Sequence, residues 1–364
     1  MHFKYEEKNY SIERYPCSDN KSLRAWSAAD EYLLKYLKEN NISYTKPLIY
    51  NDRFGFLSTI LSKKQPNIII NYKSQEKSLE INLKKHSVDL NTISKTKPLD
   101  KLKTPFDLVL IKIPKSLDLF RFQLNQLHES LKKNSVVVCA FMTKYFSPQI
   151  LKIAEDYFEQ CEQSVAWKKA RLLFLKKKRK VKKKKLINSI SYSISKEFKQ
   201  YYGVFSAKKI DQATLLLIQH LDVRLGHNKI LDLACGNGIL AHAALANKPN
   251  AEIHLLDDSE LAIASCKINI DSEKACFHYN DTLDNFENNT FDLIISNPPF
   301  HFEHETNIEV VLNLFKEVKR CLKKGGSFQL VTSNHLNSKT HLHKLFHKVN
   351  IVAQNEKFVV YHCV

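Results

Sequence analysis

Apolar runs of strand length recur along the second half of this chain, and each ends at a polar or turn-forming residue. The runs lie at residues 229–233, 253–256, 276–279 and 291–295. A helical pattern follows the first run, at residues 239–245. Strands that alternate with helices in this way are typical of an α/β fold built on a parallel sheet.

Longer amphipathic segments predict further helices. They span residues 22–38, 147–163 and 306–322. Near the end of the chain, Phe358–Tyr361 predicts a closing strand, and its counterpart in the first half is Ala170–Phe174.

Polar residues follow the predicted strands where each one ends. Asp232 closes the first, Asp257 closes the second and Asp281 follows the third. Gly236 and Gly238 stand in the turn after the first strand, where glycine lets the backbone pass close to a ligand and the next helix offers free N–H groups. Asp257 follows at about the 20-residue distance at which a carboxylate can meet ribose hydroxyls. Because open α/β sheets bind ligands at these strand ends, the pattern predicts a nucleotide-type site.

The fourth predicted strand ends in Asn297, Pro298, Pro299 and Phe300. Proline lacks the N–H that a strand ladder needs, so the strand must stop in a rigid loop. This loop presents the groups that can hold an exocyclic amine on a planar ring. The Asn297 amide and the Pro298 carbonyl can each accept one N–H, and Phe300 can stack on the ring.

The first half of the chain repeats the pattern of the second. Residues 106–115 match 291–300 at an offset of 185 (291 − 106), and Gly55 matches Gly238 at 183 (238 − 55). Leu131 matches Leu322 at 191 (322 − 131). Three ordered matches at nearly constant offset predict two copies of one α/β fold.

The first copy has lost the residues of the predicted site. At these offsets Arg53 replaces Gly236, and Tyr72, Lys112 and Lys115 replace Asp257, Asn297 and Phe300 respectively. We therefore expect a catalytically dead N-terminal domain that binds substrate, with Lys112 and Lys115 contacting phosphates. The alternative is a purely structural domain with solvated lysines.

The net charge is strongly positive, at +18 over 364 residues. Such an excess attracts polyanions, and nucleic acid is the first candidate. Residues 176–185 carry nine basic side chains in ten. A block of this kind repels itself and predicts a linker, which either grips RNA or is simply solvated.

Other classes of protein fit the sequence poorly. The eight cysteines include no Cys-x-x-Cys pair, so we expect reduced thiols and no metal site. Neither a signal peptide nor an apolar run of about 18 residues is present, so the prediction is a cytoplasmic protein outside the membrane.

The glycine turn, Asp257, Asp281 and the Asn297–Phe300 loop resemble motifs of class I S-adenosylmethionine-dependent methyltransferases. A nicotinamide dehydrogenase would also explain the turn and Asp257, but it would not explain Asn-Pro-Pro-Phe. The resemblance implies two tandem Rossmann-like methyltransferase domains, the first degenerate, with S-adenosylmethionine (SAM) as cofactor. It implies cofactor-binding roles for Ser206, Asp232, Ala234, Cys235, Gly236, Gly238, Asp257 and Asp281, and catalytic roles for Asn297, Pro298, Pro299 and Phe300.

The whole chain is similar to the bacterial ribosomal RNA guanine-N2 methyltransferases, and most similar to the large-subunit enzymes of that group. Residues 25–34, 51–55, 110–115 and 166–172 carry this likeness in the first half, and Gly203–Ser206 carries it in the second. The family usually has Gly at position 234 and Arg-Asp near 207–208, where this chain has Ala234 and Ala207-Lys208.

The resemblance implies that the protein methylates the exocyclic N2 of one guanine in protein-free 23S rRNA. We expect a monomer with a degenerate RNA-binding domain at 1–175, a lysine-rich linker at 176–200 and a catalytic domain at 201–364. The alternatives are a 16S rRNA enzyme, a methyltransferase of another planar amine such as DNA adenine N6 or protein glutamine, and a non-catalytic RNA-binding assembly factor.

Overall fold

The chain forms two compact units, Met1–Leu186 and Ile187–Val364. The computed structural model describes residues 2–18, 20, 22–103, 105–182, 186–193, 196–271, 273–298, 301–302, 305–306 and 308–364.

The first unit has these strands and helices: β1 (His2–Tyr5), β2 (Lys8–Ser11), α1 (Ala28–Glu39), β3 (Leu48–Tyr50), α2 (Phe56–Ile60), β4 (Asn67–Ile69), α3 (Lys73–Lys85), β5 (Ser94–Thr96), β6 (Phe106–Lys112), α4 (Leu117–His128), β7 (Leu131–Met142), α5 (Pro148–Glu155), β8 (Phe158–Gln163) and β9 (Ala170–Lys178).

The second unit has these: β10 (Ile187–Ser193), β11 (Lys196–Tyr201), α6 (Gln212–Gln219), β12 (Lys229–Leu233), α7 (Ile239–Asn247), β13 (Glu252–Asp257), α8 (Glu260–Asn269), β14 (Ala275–Tyr279), β15 (Phe291–Ser296), β16 (His301–Phe302), β17 (Glu305–Thr306), α9 (Ile308–Cys321), β18 (Leu322–Ser333), α10 (Ser338–His343), β19 (Val349–Gln354) and β20 (Phe358–Cys363).

Each unit is built on a seven-stranded sheet, and the two sheets have the same topology. The order is β5-β4-β3-β6-β7-β9-β8 in the first unit and β14-β13-β12-β15-β18-β20-β19 in the second. In each sheet six strands point the same way, and the sixth in the order, β9 or β20, is antiparallel to both of its neighbours. The strand order reverses next to β3 and next to β12, and this is the switch point at which open α/β sheets bind ligands.

The strand registers confirm the predicted duplication. Leu48 pairs with Val109 as Leu231 pairs with Ile294, and both sheets shift register after the first residue of the fourth strand. One predicted equivalence is wrong. Leu48 pairs with Asn67, and Leu231 pairs with His254, so the offset between β4 and β13 is 187 (254 − 67). The residue equivalent to Asp257 is therefore Ile70 and not Tyr72.

Two predicted helices differ from the structure, and a third agrees. The segment 147–163 divides into α5 and the edge strand β8, because its last six residues pair with β9. The predicted helix 22–38 begins only at Ala28, after Ser27 forms a capping box with Asp30. The predicted helix 306–322 is confirmed as α9.

The predicted linker 176–200 is partly regular structure. Residues 176–178 complete β9, and β10 and β11 form an antiparallel hairpin from Ile187 to Tyr201. The hairpin is tied to α8, since the Asn269 side chain bonds both the N–H and the C=O of Lys199.

Apolar layers cover both faces of the second sheet. Helices α6, α7 and α8 pack on one face, and α9 and α10 pack on the other. The strand ends between these layers carry the polar residues that the sequence singled out.

Candidate active site

The C-terminal ends of β12–β15 and the segment 203–211 after β11 carry the predicted site residues, and we call this region the candidate site. Strand β12 lies between β13 and β15, so the turn after Leu233 and the loop after Ser296 are neighbours. The Ser296 hydroxyl donates to the Leu233 carbonyl at 2.6 Å and joins the two. Methyl donor and acceptor could therefore meet between them.

The glycine turn after β12 has the backbone that the sequence predicts. Gly236 and Gly238 have φ of +56° and +83°. A Cβ on Gly238 would lie 3.1 Å from Ile270 and 3.3 Å from Cys266, so a side chain there would be both crowded and strained. Among the described residues, a Cβ on Gly236 would meet nothing within 4 Å. The Gly236 side of the turn is therefore open to a ligand.

Asp257 joins the second strand to this turn. Its carboxylate accepts from the N–H of Gly236 at 2.9 Å and from the N–H of Ser259 at 2.8 Å. Burial raises the pKa of Asp257 to about 6, although the two N–H groups oppose the shift. The residue is half-buried, and each oxygen has a second lone pair with which it can accept from a ligand hydroxyl.

Asp232, near the end of β12, contacts the start of α7. Its side chain is fully buried and accepts from the N–H of Ala241 at 2.9 Å, which braces the start of α7. Burial raises the pKa of Asp232 to about 7. Oδ1 of Asp232 has no hydrogen-bond partner among the described residues, and a contact between Asp232 and the cofactor stays a prediction.

Ala234 and Cys235 contribute backbone rather than side chains to the turn. The Cys235 thiol is buried, 3.4 Å from the Cys266 sulfur, and burial raises its pKa. Ala234 has φ of +59°, in the left-handed region that an L-residue occupies at a cost.

Replacing Ala234 with glycine is expected to stabilise the protein. Glycine relieves the left-handed strain but adds entropy to the unfolded chain, so we expect a net gain of about 0.5–1 kcal/mol. Thermal unfolding measures this, with Ala246→Gly in α7 as a control that should destabilise. A lower melting temperature for Ala234→Gly would contradict the strain argument.

The first unit has filled the equivalent region with its own side chains. Asn51 replaces Ala234 at offset 183 with φ of +60°, and its amide donates to the Lys112 carbonyl at 2.7 Å, across the switch point. Gln123 exchanges two hydrogen bonds with Asn51, at 2.7 and 2.9 Å. Asp52 accepts from the Ser58 N–H in α2 at 2.7 Å, as Asp232 accepts from an N–H of α7.

A buried network that the sequence did not reveal fixes the segment before α6. The Gln200 amide donates to the carbonyls of Val204 and Phe205, both at 3.0 Å, and accepts from the Asn237 amide at 2.8 Å. Asn269 donates to the Asn237 carbonyl at 2.8 Å. The segment is thus anchored to the glycine turn, and the only sequence signal was a polar Asn between two glycines.

Two predicted cofactor residues lie at the rim of this arrangement. Ser206 is half-buried with φ of +62°, and its hydroxyl donates to the Lys209 carbonyl. Asp281 lies two residues beyond β14 and is half-buried.

Asn297 is oriented by residues far away in the sequence. Its Nδ2 donates to Asp211 Oδ2 at 3.1 Å and to Thr214 Oγ1 at 2.9 Å. Pro298 is buried next to it. Pro299 and Phe300 lie outside the described residues, so their catalytic roles stay predictions.

A Glu252–His254–Cys276 group places possible metal ligands within 4.8 Å of one another at the start of β13 and β14. Glu252 already accepts from Lys229 Nζ at 3.0 Å and bonds His254 Nε2 at 2.6 Å. Glu252 and His254 are thus hydrogen-bonded to protein side chains, and the absence of a metal site stays a prediction.

Two family matches and several full-length relatives decide the family. The RLMG N-terminal domain matches residues 1–179, and the Methyltransferase small domain matches residues 195–362. A ribosomal RNA large subunit methyltransferase G from Pseudoalteromonas translucida is 31% identical, over 97% of this chain and 95% of the relative. The same-named protein of Colwellia psychrerythraea is 32% identical, over 98% and 97%. This chain belongs to the large subunit methyltransferase G family.

A solved structure has the same fold as this chain. The T. thermophilus 16S rRNA N2 G1207 methyltransferase (RsmC), in complex with AdoMet and guanosine, superimposes with a TM-score of 0.78. It is 19% identical and the match covers 100% of this chain and 97% of that one. The protein is a methyltransferase, and SAM is the cofactor of its class.

The candidate site fits that cofactor. The open face at Gly236 and the half-buried Asp257 carboxylate suit a nucleoside, and the first unit has Arg53 and Ile70 at these positions. Within the described residues, no helix combines the length and the apolar character that crossing a bilayer demands.

Proposed function

We propose that this protein transfers a methyl group from SAM to the exocyclic N2 of a guanine in 23S rRNA. The observation that carries the proposal is the convergence of the open glycine turn, the Asp257 carboxylate and the Asn297 amide at one switch point. The large-subunit names of the relatives support the RNA, and the AdoMet and guanosine of RsmC support donor and acceptor.

The chain's own residues would hold the donor at three places. The glycine turn lies along the methionine part, Asp257 accepts from the ribose hydroxyls, and Asp281 faces the adenine amine. SAM itself supplies an electrophilic methyl group on a sulfonium ion. The protein's contribution is to hold that group in line with the acceptor nitrogen.

Asn297 and Pro298 would hold the acceptor. The guanine N2 amine has a delocalised lone pair, which makes it a weak nucleophile. When the Asn297 Oδ1 and the Pro298 carbonyl accept its two N–H groups, the nitrogen moves toward pyramidal geometry and the lone pair can attack the methyl group. The methylated nitrogen is acidic and loses its proton without a strong base.

The first unit would supply binding energy for the RNA. Extruding a guanine costs a few kcal/mol, and phosphate contacts across a basic surface can offset that cost. Lys115 is exposed and suits such a contact, whereas Lys112 lies 3.2 Å from Asp30 and is already paired. Lys115 is therefore the better candidate phosphate ligand of the two.

SAM affinity is expected to fall as the pH drops through about 6, because the pKa of Asp257 is raised to about 6 and ribose hydroxyls bind the ionised carboxylate. The loss should reach about tenfold per pH unit below that value. Calorimetry between about pH 5 and pH 7 measures it. Asp257→Asn should bind weakly with a flat profile, and a wild-type profile as flat as that of the variant would contradict the assignment.

Labelled SAM with separate substrates tests the proposal itself. Protein-free 23S rRNA, 16S rRNA, genomic DNA and total ribosomal protein should be incubated with the full chain. We expect label only in 23S rRNA, and mass mapping should place it on the guanine base as N2-methylguanine. Label confined to 16S rRNA, DNA or protein would reject the proposed substrate, and RNA binding without any transfer would favour an assembly factor.

A further inference from the structure

The proposed chemistry needs the Asn297 amide in one of two orientations, and the structure contains a device that selects it. The Nδ2 atom lies within hydrogen-bond distance of two side chains of α6 and its cap. These are Asp211 Oδ2 at 3.1 Å and Thr214 Oγ1 at 2.9 Å. The Asp211 carboxylate can only accept, so it excludes the amide oxygen from this side, and the Thr214 hydroxyl accepts from the nitrogen in the same orientation.

Asp211 and Thr214 are themselves held firmly. Asp211 is the N-cap of α6, and its Oδ2 also accepts from the Thr214 N–H at 3.1 Å. Thr214 is 6% exposed, and its hydroxyl lies 3.5 Å from Asp211 Oδ2, where it can donate while accepting from Asn297. A capped helix end and a buried side chain thus form a rigid pair of acceptors.

The pair has two consequences for Asn297. Rotating the amide by half a turn would break the bond to Asp211 and bring Oδ1 against its carboxylate, which has no proton to donate, so Oδ1 stays on the side away from α6. The negative charge of Asp211 also polarises the amide and makes Oδ1 a stronger acceptor.

We propose that Asp211 and Thr214 are positioning residues, which turn the Asn297 amide oxygen toward the acceptor amine. The inference rests on the proposed function of Asn297. Judged by its local geometry alone, Asp211 is an ordinary structural helix cap. Its bond to Asn297 gives this cap an effect on catalysis as well.

Paired substitutions separate positioning from folding. Thr214→Val removes the acceptor at nearly constant volume, and Thr214→Ser restores it. Asp211→Ala removes cap and charge, whereas Asp211→Asn keeps a cap and a neutral acceptor. Ser147→Ala, at the cap of α5, is a control for cap loss in the other unit.

We expect the effects on kcat and not on SAM affinity. Asp211→Ala should lower kcat by about 100-fold, and Asp211→Asn and Thr214→Val by about tenfold, since small displacements of a reacting group cost this much. Thr214→Ser and Ser147→Ala should stay near wild type. SAM dissociation constants should change by less than about twofold.

A readout that does not depend on activity completes the test. In crystals of Thr214→Val or Asp211→Ala, the Asn297 side chain should rotate or populate two orientations, while the wild-type protein keeps one. If Asn297→Ala is inactive but Thr214→Val and Asp211→Ala turn over at the wild-type rate, the positioning role is wrong. If Asn297→Ala itself is fully active, the proposed function fails first, and the two failures are thereby distinguished.

Discussion

Asn297→Ala is expected to lower methyl transfer by at least about 100-fold, as is typical when a group that stabilises the transition state is removed. SAM affinity should stay within about twofold of wild type. The reason is positional: the Asn297 amide follows β15 and bonds Asp211 and Thr214, whereas the proposed SAM ribose contact, Asp257, ends a different strand.

Single-turnover transfer from labelled SAM to 23S rRNA measures the effect, and calorimetry measures the SAM affinity. Asn247→Ala is the matched control, because its amide bonds only the Ala243 carbonyl at the far end of α7. Transfer at the wild-type rate by Asn297→Ala would remove the amide from the mechanism. Loss of SAM binding as well would mean that the loop supports the cofactor and not the acceptor.

Gly236→Arg is expected to abolish SAM binding without unfolding the protein. A Cβ at this position has no atom of the described residues within 4 Å, and the side chain would extend into the space where the proposed ligand lies. Arginine is also the residue that the first unit carries there, at Arg53. The left-handed φ should cost about 1–2 kcal/mol, which a domain of this size tolerates.

Gly325→Arg is the control that separates blockage of the SAM site from the effects of backbone strain and of an added charge. Gly325 also has a positive φ, +81°, and a Cβ at this position would likewise meet nothing within 4 Å, but the residue lies on β18, outside the candidate site. We expect similar loss of thermal stability from the two variants and loss of SAM binding only from Gly236→Arg. Wild-type affinity in Gly236→Arg would place the donor elsewhere.

The two units show how one fold loses a ligand site. In the first unit, Asn51 spans the switch point to the Lys112 carbonyl, and Ile70 stands where Asp257 would accept ribose hydroxyls. Restoring a glycine at Arg53 alone should therefore not create a SAM site. The same sheet remains, because its apolar pattern does not depend on the residues at the strand ends.

Local sequence patterns predicted most strands of the second sheet correctly. They gave the wrong element where one segment fits both a helical and a strand pattern. The strands at 229–233 and 291–296 follow from short apolar runs that end at glycine or proline. At 147–163 the residues Phe158–Gln163 fit either a helix or an edge strand, and only pairing with β9 decides between them.

By itself, the sequence determined the duplicated α/β fold, the glycine turn and the end of β15 before Asn297, because apolar period, proline and glycine act on neighbouring residues. Only the tertiary structure decided that Asp232 faces the core and that Asn51 closes the first site. It also decided that Asp211 and Thr214, 86 and 83 residues before Asn297, set the orientation of its amide. These are contacts between distant segments, and their partners are chosen by strand register and packing, which no local pattern contains.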